Sequence, residues 1–447
     1  MGKQLFGTDG IRGVAGEPPL DETTVFAAGV ALGAEAKRLG SDPEVVIGMD
    51  TRESGPWIAN TLAGGLAQQG VRTRFAGVVT TPGVAYLTRS LPFVAGVMIS
   101  ASHNPFQDNG IKVFGHSGYK LPDGEEHLVE EEIFRLLRNG LEPRAFALQE
   151  DPALDGQYLE YLISTLHGSL SGLGLVVDCG NGAASKLAPE MFRRAGADVR
   201  PIYCEPDGRN INLNCGALHV DEMARAVVEE SADAGVAFDG DADRAMFVGR
   251  SGKVIDGDAV LLIASRALRA AGRLPGNLVV ATVMSNLGLE KALEREGIQL
   301  LRTPVGDKYV LEEMLRTGAV LGGEQSGHVI FHEYATTGDG LLTAVRVFEI
   351  ARQTGLSLEE LAADLKIYPQ KLVNVRVRER KPLEELTAVR SEIEVCEAEF
   401  GGAGRILVRF SGTEPLARVM VEGPEAEQVD RFTTRIAEAI RREIGLE

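Results

Sequence analysis

The 447-residue chain has few aromatic residues and more negative than positive charge. Aromatic residues make up 6% of the chain, with a single tryptophan, which is little for stacking nucleic-acid bases. Its 64 acidic and 46 basic residues give a formal charge of −18, so the overall field repels nucleic acids and anionic membranes. We therefore expect no nucleic-acid partner, and an anionic substrate would need local arginine and lysine side chains.

The sequence also lacks long apolar runs and closely spaced cysteines. No stretch approaches the roughly 20 apolar residues that cross a membrane, and the first six residues carry no apolar signal segment. The four cysteines show no C-x-x-C spacing, so we interpret them as reduced thiols rather than as disulfides or zinc ligands. These features predict a cytoplasmic protein with no membrane partner.

The chain does have the length and the pattern of a multidomain α/β protein. Short apolar stretches that predict buried strands alternate with helical stretches, and three strand-loop stretches look like an internal repeat. The segments that follow the last two also match, with Gly257-Asp258 aligned to Gly338-Asp339 and both predicted to open a helix. We predict three similar mixed α/β domains at residues 1–150, 151–255 and 256–367. A smaller α+β domain follows at 368–447, where an alternating strand begins near Leu372. The repeated units could present their polar loops toward one cleft.

Residues 96–105 (GVMISASHNP) predict a buried strand that delivers one serine to a sharp turn. Asn104-Pro105 ends the strand, which leaves Ser102 on a strand-end loop, where α/β folds often place their chemistry. The alternative is a purely structural turn formed by Ser102 and Asn104. A serine hydrolase is excluded by the absence of G-x-S-x-G and by the expectation that the adjacent Ser102 and His103 side chains point apart.

Three carboxylates at alternate positions, Asp239, Asp241 and Asp243, follow the apolar stretch 235–238. They repel one another unless a cation lies among them, and oxygen ligands without nearby His or Cys favour Mg²⁺ or Ca²⁺. An EF-hand is excluded because Arg244 and Arg250 stand where its glycine and glutamate belong. A solvated turn is the alternative interpretation.

Two loops in the first domain supply positive charge. Residues 7–13 (GTDGIRG) combine glycine backbone with Arg12, which suits an anion, although a plain surface turn has the same composition. Lys112 lies on the strand that follows the Ser102 loop. It can be a solvated edge residue, a charge clamp, or a proton-transfer group with a lowered pKa.

Two later loops suit a sugar and a phosphate. Residues 324–328 (EQSGH) offer a carboxylate, a hydroxyl and an imidazole, which can orient sugar hydroxyls or an amino group. Residues 411–413 (SGT), between two basic strands and followed by Arg418, can surround a phosphate with hydroxyls, N–H groups and guanidinium groups. A structural turn and a plain hairpin are the respective alternatives.

With these loops in view, the sequence resembles the α-D-phosphohexomutase superfamily along nearly its whole length. Four motifs carry the resemblance in order: S-A-S-H-N-P at 100–105, D-G-D-A-D-R at 239–244, E-Q-S-G-H at 324–328 and S-G-T-E-P at 411–415. They look like the phosphoserine, metal, sugar and phosphate loops of that superfamily. Residues 7–13 and Gln325 look most like its bacterial members that act on glucosamine phosphate, whereas relatives that act on mannose and glucose phosphates usually carry Met at the position of Gln325.

The resemblance implies four domains around a central cleft and an isomerase that interconverts glucosamine 6-phosphate and glucosamine 1-phosphate. Glucosamine 1,6-bisphosphate would be the intermediate or activator, one Mg²⁺ the cofactor, and the product would feed UDP-N-acetylglucosamine and cell-wall synthesis. The small-molecule hexosamine phosphate would be the main partner, and a homodimer is the family expectation.

The resemblance also assigns roles to individual residues. Ser102 would carry the phosphoryl group and, with the three aspartates, hold the Mg²⁺. The remaining roles fall on these residues: Lys112 and, second, His328 for proton transfer; Arg12 and Arg244 for holding the serine or phosphate; Glu324 and Ser326 for sugar hydroxyls; Ser411, Gly412, Thr413 and Arg418 for the non-transferring phosphate.

Three other functions stay open on the sequence. The first is a mutase of the same superfamily for mannose or glucose phosphates. The second is a Mg²⁺-dependent phosphatase that would use the same serine and carboxylates, although it would not require the Ser411 loop. The third is a silent sugar-phosphate binding protein, against which the intact serine and carboxylate triad argue.

Overall fold

The computed structural model describes residues 5–7, 9–411 and 415–446. Within these residues the chain forms 14 α-helices and four β-sheets. It divides into two compact units, Met1–Met284 with Leu300–Ala363, and Ser285–Gln299 with Asp364–Glu447. None of the helices in the described ranges has the length and apolar character of a membrane span. All four cysteines are free, as the spacing predicted.

The first sheet has six strands in the order β1-β2-β6-β5-β3-β4. Its elements are β1 (Phe6–Gly7), β2 (Gly10–Val14), α1 (Glu22–Leu39), β3 (Glu44–Met49), α2 (Gly55–Gln68), β4 (Arg72–Val78), α3 (Thr81–Ser90), β5 (Ala95–Ile99), β6 (Asp108–Gly115) and α4 (Asp123–Asn139). Strand β5 is parallel to β3 and antiparallel to β6, and its last four residues are buried. The loop that follows β5 therefore starts from the middle of the sheet.

The second sheet has five strands in the order β11-β10-β9-β7-β8. Its elements are α5 (Pro152–Ser164), β7 (Gly174–Asp178), α6 (Ala184–Arg194), β8 (Asp198–Ile202), α7 (Asp221–Glu229), β9 (Ala234–Phe238), β10 (Ala245–Gly249) and β11 (Val254–Ile255). All five residues of β9 are buried, and β9 pairs antiparallel with β10. The three aspartates lie in the loop between these two strands.

The third sheet has four strands in the order β13-β12-β14-β15. The elements of this region are α8 (Gly257–Ala270), β12 (Leu278–Thr282), α9 (Leu287–Arg295), β13 (Gln299–Thr303), α10 (Asp307–Thr317), β14 (Leu321–Gly323), β15 (Val329–Phe331), α11 (Gly340–Thr354) and α12 (Leu358–Leu361). Helix α9 belongs to the second compact unit. Residues 324–328 join β14 to its antiparallel neighbour β15.

The internal repeat is visible as one repeated connection. In each of the three sheets a buried strand is followed by a polar loop and then by an antiparallel neighbour: β5 and β6, β9 and β10, β14 and β15. We name these connections the serine loop (100–107), the carboxylate loop (239–244) and the Gln325 loop (324–328). The same position in three similar domains thus carries the three sets of functional candidates.

The register of the predicted repeat needs one correction. The sequence match paired Gly257-Asp258 with Gly338-Asp339, and both segments do open a helix. However, the residues that cap α8 and α11 are Asp256 and Asp339, whose carboxylates accept N–H bonds from the first helical turn. An N-cap must lie just before the first helical residue. Asp256-Gly257 therefore corresponds to Asp339-Gly340.

The second unit contains a small antiparallel sheet in the order β16-β18-β17. Its elements, besides α9, are β16 (Gln370–Arg376), α13 (Thr387–Phe400), β17 (Arg405–Phe410), β18 (Leu416–Glu422) and α14 (Ala426–Ile444). Buried residues of β16, β18, α13 and α14 form one apolar cluster. This confirms the smaller α+β domain, with β16 as the predicted half-exposed strand.

Candidate functional site

Ser102 lies in a sharp turn, as the strand-breaking pattern predicted. Its φ angle is 55°, a left-handed conformation, and only 2% of the residue is exposed. Its Oγ donates a hydrogen bond to Oδ2 of Asp239 at 2.6 Å, and its backbone N–H donates to Ser100 Oγ at 2.9 Å. The turn therefore points the serine hydroxyl at the carboxylate loop.

The expectation that Ser102 and His103 point apart is wrong. Ser102 Oγ and His103 Nδ1 are 3.3 Å apart. Neighbouring side chains point to opposite sides only in an extended strand. Because Ser102 has a left-handed φ, its side chain and that of His103 can point to the same side. Burial, followed by the charges of Arg244 and Arg12, lowers the pKa of His103 to about 4, so its imidazole is neutral near pH 7.

Asp239, Asp241 and Asp243 are buried, and one oxygen from each lies within 4.8 Å of the others. The Oδ1 atoms of Asp241 and Asp243 are buried and have no hydrogen-bond partner in the part of the chain that the structure describes. Burial and the neighbouring carboxylates raise the pKa of Asp239 and of Asp243. Clustered buried carboxylates with unsatisfied oxygens fit a hard cation, so these residues could hold a metal.

Lys112 is the cation that the structure places among these carboxylates. Its Nζ lies 2.7 Å from Asp241 Oδ2, 3.0 Å from Asp9 Oδ2 and 3.6 Å from Asp243 Oδ2. Strand β6 has neighbours on both sides and Lys112 is 1% exposed, so the edge-residue interpretation is wrong. Burial would lower the pKa of Lys112, but the three carboxylates raise it, so the suggested lowered pKa is also wrong. The arrangement is that of a charge clamp.

A line of charged groups extends from Lys112 toward His328. Lys120 Nζ lies 2.5 Å from Asp9 Oδ1 and also contacts Asp307 at the start of α10. Asp307 Oδ2 is 3.8 Å from His328 Nε2. His328 is 3% exposed, and neither ring nitrogen has a hydrogen-bond partner among the described residues. Asp9, Lys120 and Asp307 were not among the predicted site residues.

Arg52 holds the serine loop in place, and the sequence analysis missed it. Its side chain is fully buried against Asp50, with Nε 2.9 Å from Asp50 Oδ2. Its Nη2 donates to the carbonyls of Ser102 and Asn104 at 2.8 and 2.9 Å, and Nη1 donates to that of Asp108 at 3.0 Å. One guanidinium thus satisfies several carbonyls of a tight loop.

Two further residues, Asn212 and Thr81, hold the loops from outside through hydrogen bonds. Asn212 Nδ2 donates to the Ser102 carbonyl at 2.9 Å. Thr81, the first residue of α3, donates its hydroxyl to Asp241 Oδ2 at 2.5 Å and its backbone N–H to the Asp241 carbonyl at 3.0 Å. The serine and carboxylate loops are therefore held by backbone and side-chain bonds on both sides.

Arg12 lies against the serine loop, and Arg244 is the last residue of the carboxylate loop. Arg12 pairs with Asp9, and its Nη1 lies 3.5 Å from the Ala101 carbonyl. Arg244 Nε is 3.9 Å from Asp243 Oδ1. The Nε of each arginine is buried, and neither atom has a hydrogen-bond partner among the described residues. Two guanidinium groups with unused N–H donors beside Ser102 form a setting that suits a phosphoryl group.

The Gln325 loop lines a cavity of about 540 Å³ together with Arg244. Glu324, Gln325 and Ser326 all face this cavity. Glu324 Oε1 accepts a hydrogen bond from Gly306 N at 3.2 Å, which holds the carboxylate in place. The predicted sugar-binding side chains and one of the predicted phosphate-binding arginines therefore share one space.

The predicted phosphate loop lies in the second unit, and Gly412 and Thr413 fall outside the described residues. Ser411 is buried, and its backbone N–H donates to the Leu416 carbonyl at 2.8 Å. Arg418 stands opposite Arg409 in the pairing of β18 with β17. Burial and the Arg418 charge lower the pKa of Arg409. Two arginines side by side are a setting that an anion would stabilise.

Comparison with known proteins covers nearly the whole chain. Family models described as phosphoglucomutase/phosphomannomutase match in order: alpha/beta/alpha domain I at residues 3–139, domain II at 157–252, domain III at 256–368 and the C-terminal domain at 372–439.

Individual relatives agree with the family models. A curated protein of Solibacter usitatus (strain Ellin6076), named phosphoglucosamine mutase, is 66% identical over 445 residues and covers 100% of both chains. One of the same name from Koribacter versatilis (strain Ellin345) is 53% identical and covers 99% of this chain and 98% of its own.

Solved structures share the fold. A phosphoglucomutase/phosphomannomutase family protein of Burkholderia thailandensis has a TM-score of 0.81 at 25% identity, with 99% of both chains covered. An Aspergillus fumigatus N-acetylphosphoglucosamine mutase in complex with GlcNAc-6P and magnesium has a TM-score of 0.69 at 20% identity and covers 98% of this chain and 96% of its own.

Proposed function

This chain belongs to the phosphoglucomutase/phosphomannomutase family, and from that membership we propose that it interconverts glucosamine 6-phosphate and glucosamine 1-phosphate through a phosphoserine at Ser102. The product would serve UDP-N-acetylglucosamine and cell-wall synthesis. The observation that carries the proposal is the Ser102 hydroxyl, 2.6 Å from Asp239 in a loop built around it. Relatives named phosphoglucosamine mutase at up to 66% identity support the amino-sugar substrate.

The proposed reaction is two phosphoryl transfers at one serine. A sugar hydroxyl attacks the phosphorus of phosphoserine 102, the bond from phosphorus to Oγ breaks, and the hydroxyl proton passes to a side chain. The resulting glucosamine 1,6-bisphosphate turns round and returns its other phosphoryl group to Ser102 Oγ. Such transfers depend mainly on positioning and charge stabilisation. Lys112 is the first candidate for proton transfer and His328 the second. Because the carboxylates around it raise the pKa of Lys112, its ammonium would first pass a proton to one of them and then accept that of the sugar hydroxyl.

Asp239, Asp241 and Asp243, with an oxygen of the phosphoryl group on Ser102, would hold one Mg²⁺. The buried Oδ1 atoms of Asp241 and Asp243, which lack a hydrogen-bond partner among the residues described, fit that ion. A bound Mg²⁺ supplies positive charge against the roughly −1.5 to −2 charge of the phosphoryl group. Arg12 and Arg244, whose Nε groups have no partner within residues 5–7, 9–411 and 415–446, would bind phosphoryl oxygens from the other side.

The remaining candidates would bind the sugar and its second phosphate. Glu324 and Ser326 would contact hydroxyls common to both orientations of the bisphosphate, because both line the 540 Å³ cavity next to Arg244. Ser411, Gly412, Thr413 and Arg418 would hold the phosphate that is not being transferred. Gln325 would read the group at position 2 of the sugar.

The proposal is tested by measuring isomer formation by the purified phosphorylated enzyme with Mg²⁺. Glucosamine 1-phosphate, mannose 1-phosphate and glucose 1-phosphate would be compared side by side. We expect the amino sugar to be preferred and Ser102→Ala to abolish turnover of all three. Preference for a neutral sugar would overturn the substrate, full activity of Ser102→Ala would overturn the mechanism, and release of free phosphate without isomers would identify a phosphatase.

Three further points belong to the proposal. We place domain boundaries at residues 150, 255 and 367, which the positions of the family matches support. A bisphosphate would also serve as activator, by phosphorylating Ser102 before the first turnover. A homodimer in the cytoplasm is the setting we propose, and four free thiols suit a reducing compartment.

A further inference from the structure

Asp256 links the start of helix α8 to the Gln325 loop through its two carboxylate oxygens. Oδ1 accepts a hydrogen bond from Ala259 N at 3.0 Å, which caps the helix. Oδ2 accepts one from the side-chain amide nitrogen of Gln325 at 3.2 Å. One carboxylate oxygen of Asp256 therefore caps the helix, and the other binds the loop that we expect to contact the sugar.

Backbone contacts hold Asp256 and Gln325 next to each other. Gly257 N donates to the Gln325 carbonyl at 3.0 Å. A Cβ atom on Gly257 would lie 2.0 Å from the Glu324 carbonyl oxygen, so no other residue fits between the helix and the loop. The Gln325 side chain therefore starts from a backbone that is bonded directly to the neighbour of Asp256.

The contact with Asp256 decides which way the Gln325 amide faces. An ionised carboxylate only accepts hydrogen bonds, so Gln325 must offer it the NH₂ group. The amide carbonyl is then the group left to meet a ligand. Asp256 and Gln325 both line the 540 Å³ cavity, along with Glu324 and Ser326.

A carbonyl facing the sugar favours an amine over a hydroxyl. A protonated amine has three donors and no acceptor, as the ammonium of lysine does, whereas a hydroxyl has one donor and also accepts. An amide NH₂ in the same place would repel the ammonium and would suit a hydroxyl. The orientation of one amide thus separates the two substrates.

The equivalent residue of the repeat uses its second oxygen differently. Asp339 caps α11 through Leu342 N at 2.9 Å, and its Oδ2 accepts from the Tyr158 hydroxyl at 2.7 Å. Capping a helix at this position therefore does not require a contact with a loop amide. The bond from Gln325 to Asp256 is an addition specific to the cavity.

We propose that Asp256 is a positioning residue that sets the preference for glucosamine phosphate over glucose phosphate by fixing the orientation of the Gln325 amide. This inference rests on the proposed mutase function and names the residue behind its substrate choice. Asp256 acts through Gln325.

The test is the substitution Asp256→Asn. Asparagine keeps an oxygen for Ala259 N and is itself a good N-cap, but it presents an NH₂ group to Gln325. The Gln325 amide must then turn and face the cavity with its own NH₂. We expect the ratio of kcat/KM for glucosamine 1-phosphate to that for glucose 1-phosphate to fall by roughly tenfold or more, the size of one hydrogen bond to a charged group.

Two further variants separate positioning from folding. In a Gln325→Met background, Asp256→Asn should leave the ratio unchanged, because the amide through which it acts is gone. Asp339→Asn is the matched control for a capping aspartate in the other repeat and should leave the ratio as in the wild type. Thermal denaturation of each variant confirms that folded enzyme is assayed.

The outcomes are distinguishable. If Asp256→Asn lowers kcat/KM equally for both sugars, Asp256 only caps the helix and the inference fails. If the ratio falls as much in the Gln325→Met background, Asp256 does not act through Gln325, and the inference fails as well. A wild-type enzyme that shows no turnover of glucosamine 1-phosphate would instead overturn the proposed function, and the inference would fall with it.

Discussion

Gly340, the first residue of helix α11, donates its backbone N–H to the carbonyl of Ala242 in the carboxylate loop, at 3.0 Å. Gly257, the first residue of α8, makes the same bond to the Gln325 carbonyl. Each loop of the repeat thus rests on the start of the helix that follows the other loop in the sequence. Because both helices lie within the match for domain III, the third domain supports the carboxylate loop of the second domain as well as its own Gln325 loop.

Replacing Gly340 by alanine should disturb the carboxylate loop. The new Cβ would lie 2.5 Å from the Arg244 carbonyl oxygen and 2.9 Å from that of Ala242, and both are backbone atoms that cannot move without shifting the loop. We expect a loss of about 1–3 kcal/mol in the free energy of unfolding, the range for overpacking, together with weaker Mg²⁺ binding. Urea unfolding and Mg²⁺ titration measure both.

Gly156→Ala is the control for that substitution. Gly156 lies inside α5, is exposed, and a Cβ there meets nothing within 4 Å. Alanine at such a site should stabilise the protein by about 0.5–1 kcal/mol through helix propensity. If both alanines have the same effect on stability and Mg²⁺ affinity, the close packing of Gly340 has no functional consequence.

Replacing Arg52 by methionine should be among the most damaging single changes in the first domain. It would remove the donors for the carbonyls of Ser102, Asn104 and Asp108 and leave Asp50 buried without its ion-pair partner. Loss of one member of a buried ion pair costs about 3–5 kcal/mol. We expect a large fall in the urea midpoint and in the rate of phosphoryl transfer.

Arg209→Met provides the matched comparison. Arg209 pairs with Glu53, but its side chain is 67% exposed. An exposed ion pair contributes little, so stability and turnover should stay close to the wild type. Equal damage from both substitutions would mean that the effect of Arg52→Met reflects loss of charge in general rather than loss of the buried carbonyl contacts.

The sequence alone was sufficient to predict the functional groups whose motif lies within a few consecutive residues. The serine after a buried strand and the alternating aspartates were both identified this way, and the comparisons confirm the family that these motifs indicated. The three α/β domains and the smaller last domain are likewise confirmed, because apolar strand patterns are local.

Arg52 shows what the sequence could not reveal. It stands in an ordinary-looking T-R-E-S-G segment, and the carbonyls it binds lie 50 to 56 residues further along the chain. Every residue has a backbone carbonyl, so the sequence does not indicate which carbonyls a distant arginine will bind. Lys120 and Asp307 were missed for a related reason, since their ion pair joins residues 187 positions apart. The environment that raises the pKa of Lys112 likewise comes from distant carboxylates.

Lys112→Met should make the protein more dependent on Mg²⁺. Without the lysine, no ammonium group of the described residues would lie within 4 Å of Asp241 and Asp243, so the metal-free protein should be destabilised. The lysine also competes with a metal for these carboxylates. We therefore expect Mg²⁺ to raise the Tm by more in Lys112→Met than in the wild type, because a ligand of the folded state stabilises it more the more tightly it binds.

The measurement compares the Tm of each protein in chelator and in saturating Mg²⁺. Lys186→Met serves as control, since Lys186 is 76% exposed and its ion-pair partner is Asp155. An equal Mg²⁺-induced shift in Lys112→Met and the wild type would contradict the idea that the lysine and the metal share the carboxylates.

Asp339→Asn should change how stability depends on pH. Burial raises the pKa of Asp339 to about 6, against a usual value near 3.8, even though hydrogen bonds from Leu342 N and Tyr158 favour the ionised form. The folded protein therefore binds a proton more tightly than the unfolded chain does. Stability from this group is present below about pH 4 and is lost as the pH rises through about 6.

The wild type should accordingly lose about 2.4 kcal/mol relative to Asp339→Asn between pH 4 and pH 7, since each unit of pKa shift corresponds to about 1.4 kcal/mol and the unfolded carboxyl is already partly ionised at pH 4. Asparagine keeps the oxygen that caps α11 and cannot ionise, so it isolates the titration from the cap. Urea unfolding of both proteins at several pH values gives the difference directly. A difference that stays constant over this range would show that Asp339 titrates alike in the folded and unfolded states. A difference of the opposite sign would show that the hydrogen bonds from Tyr158 and Leu342 outweigh burial and hold the carboxylate ionised.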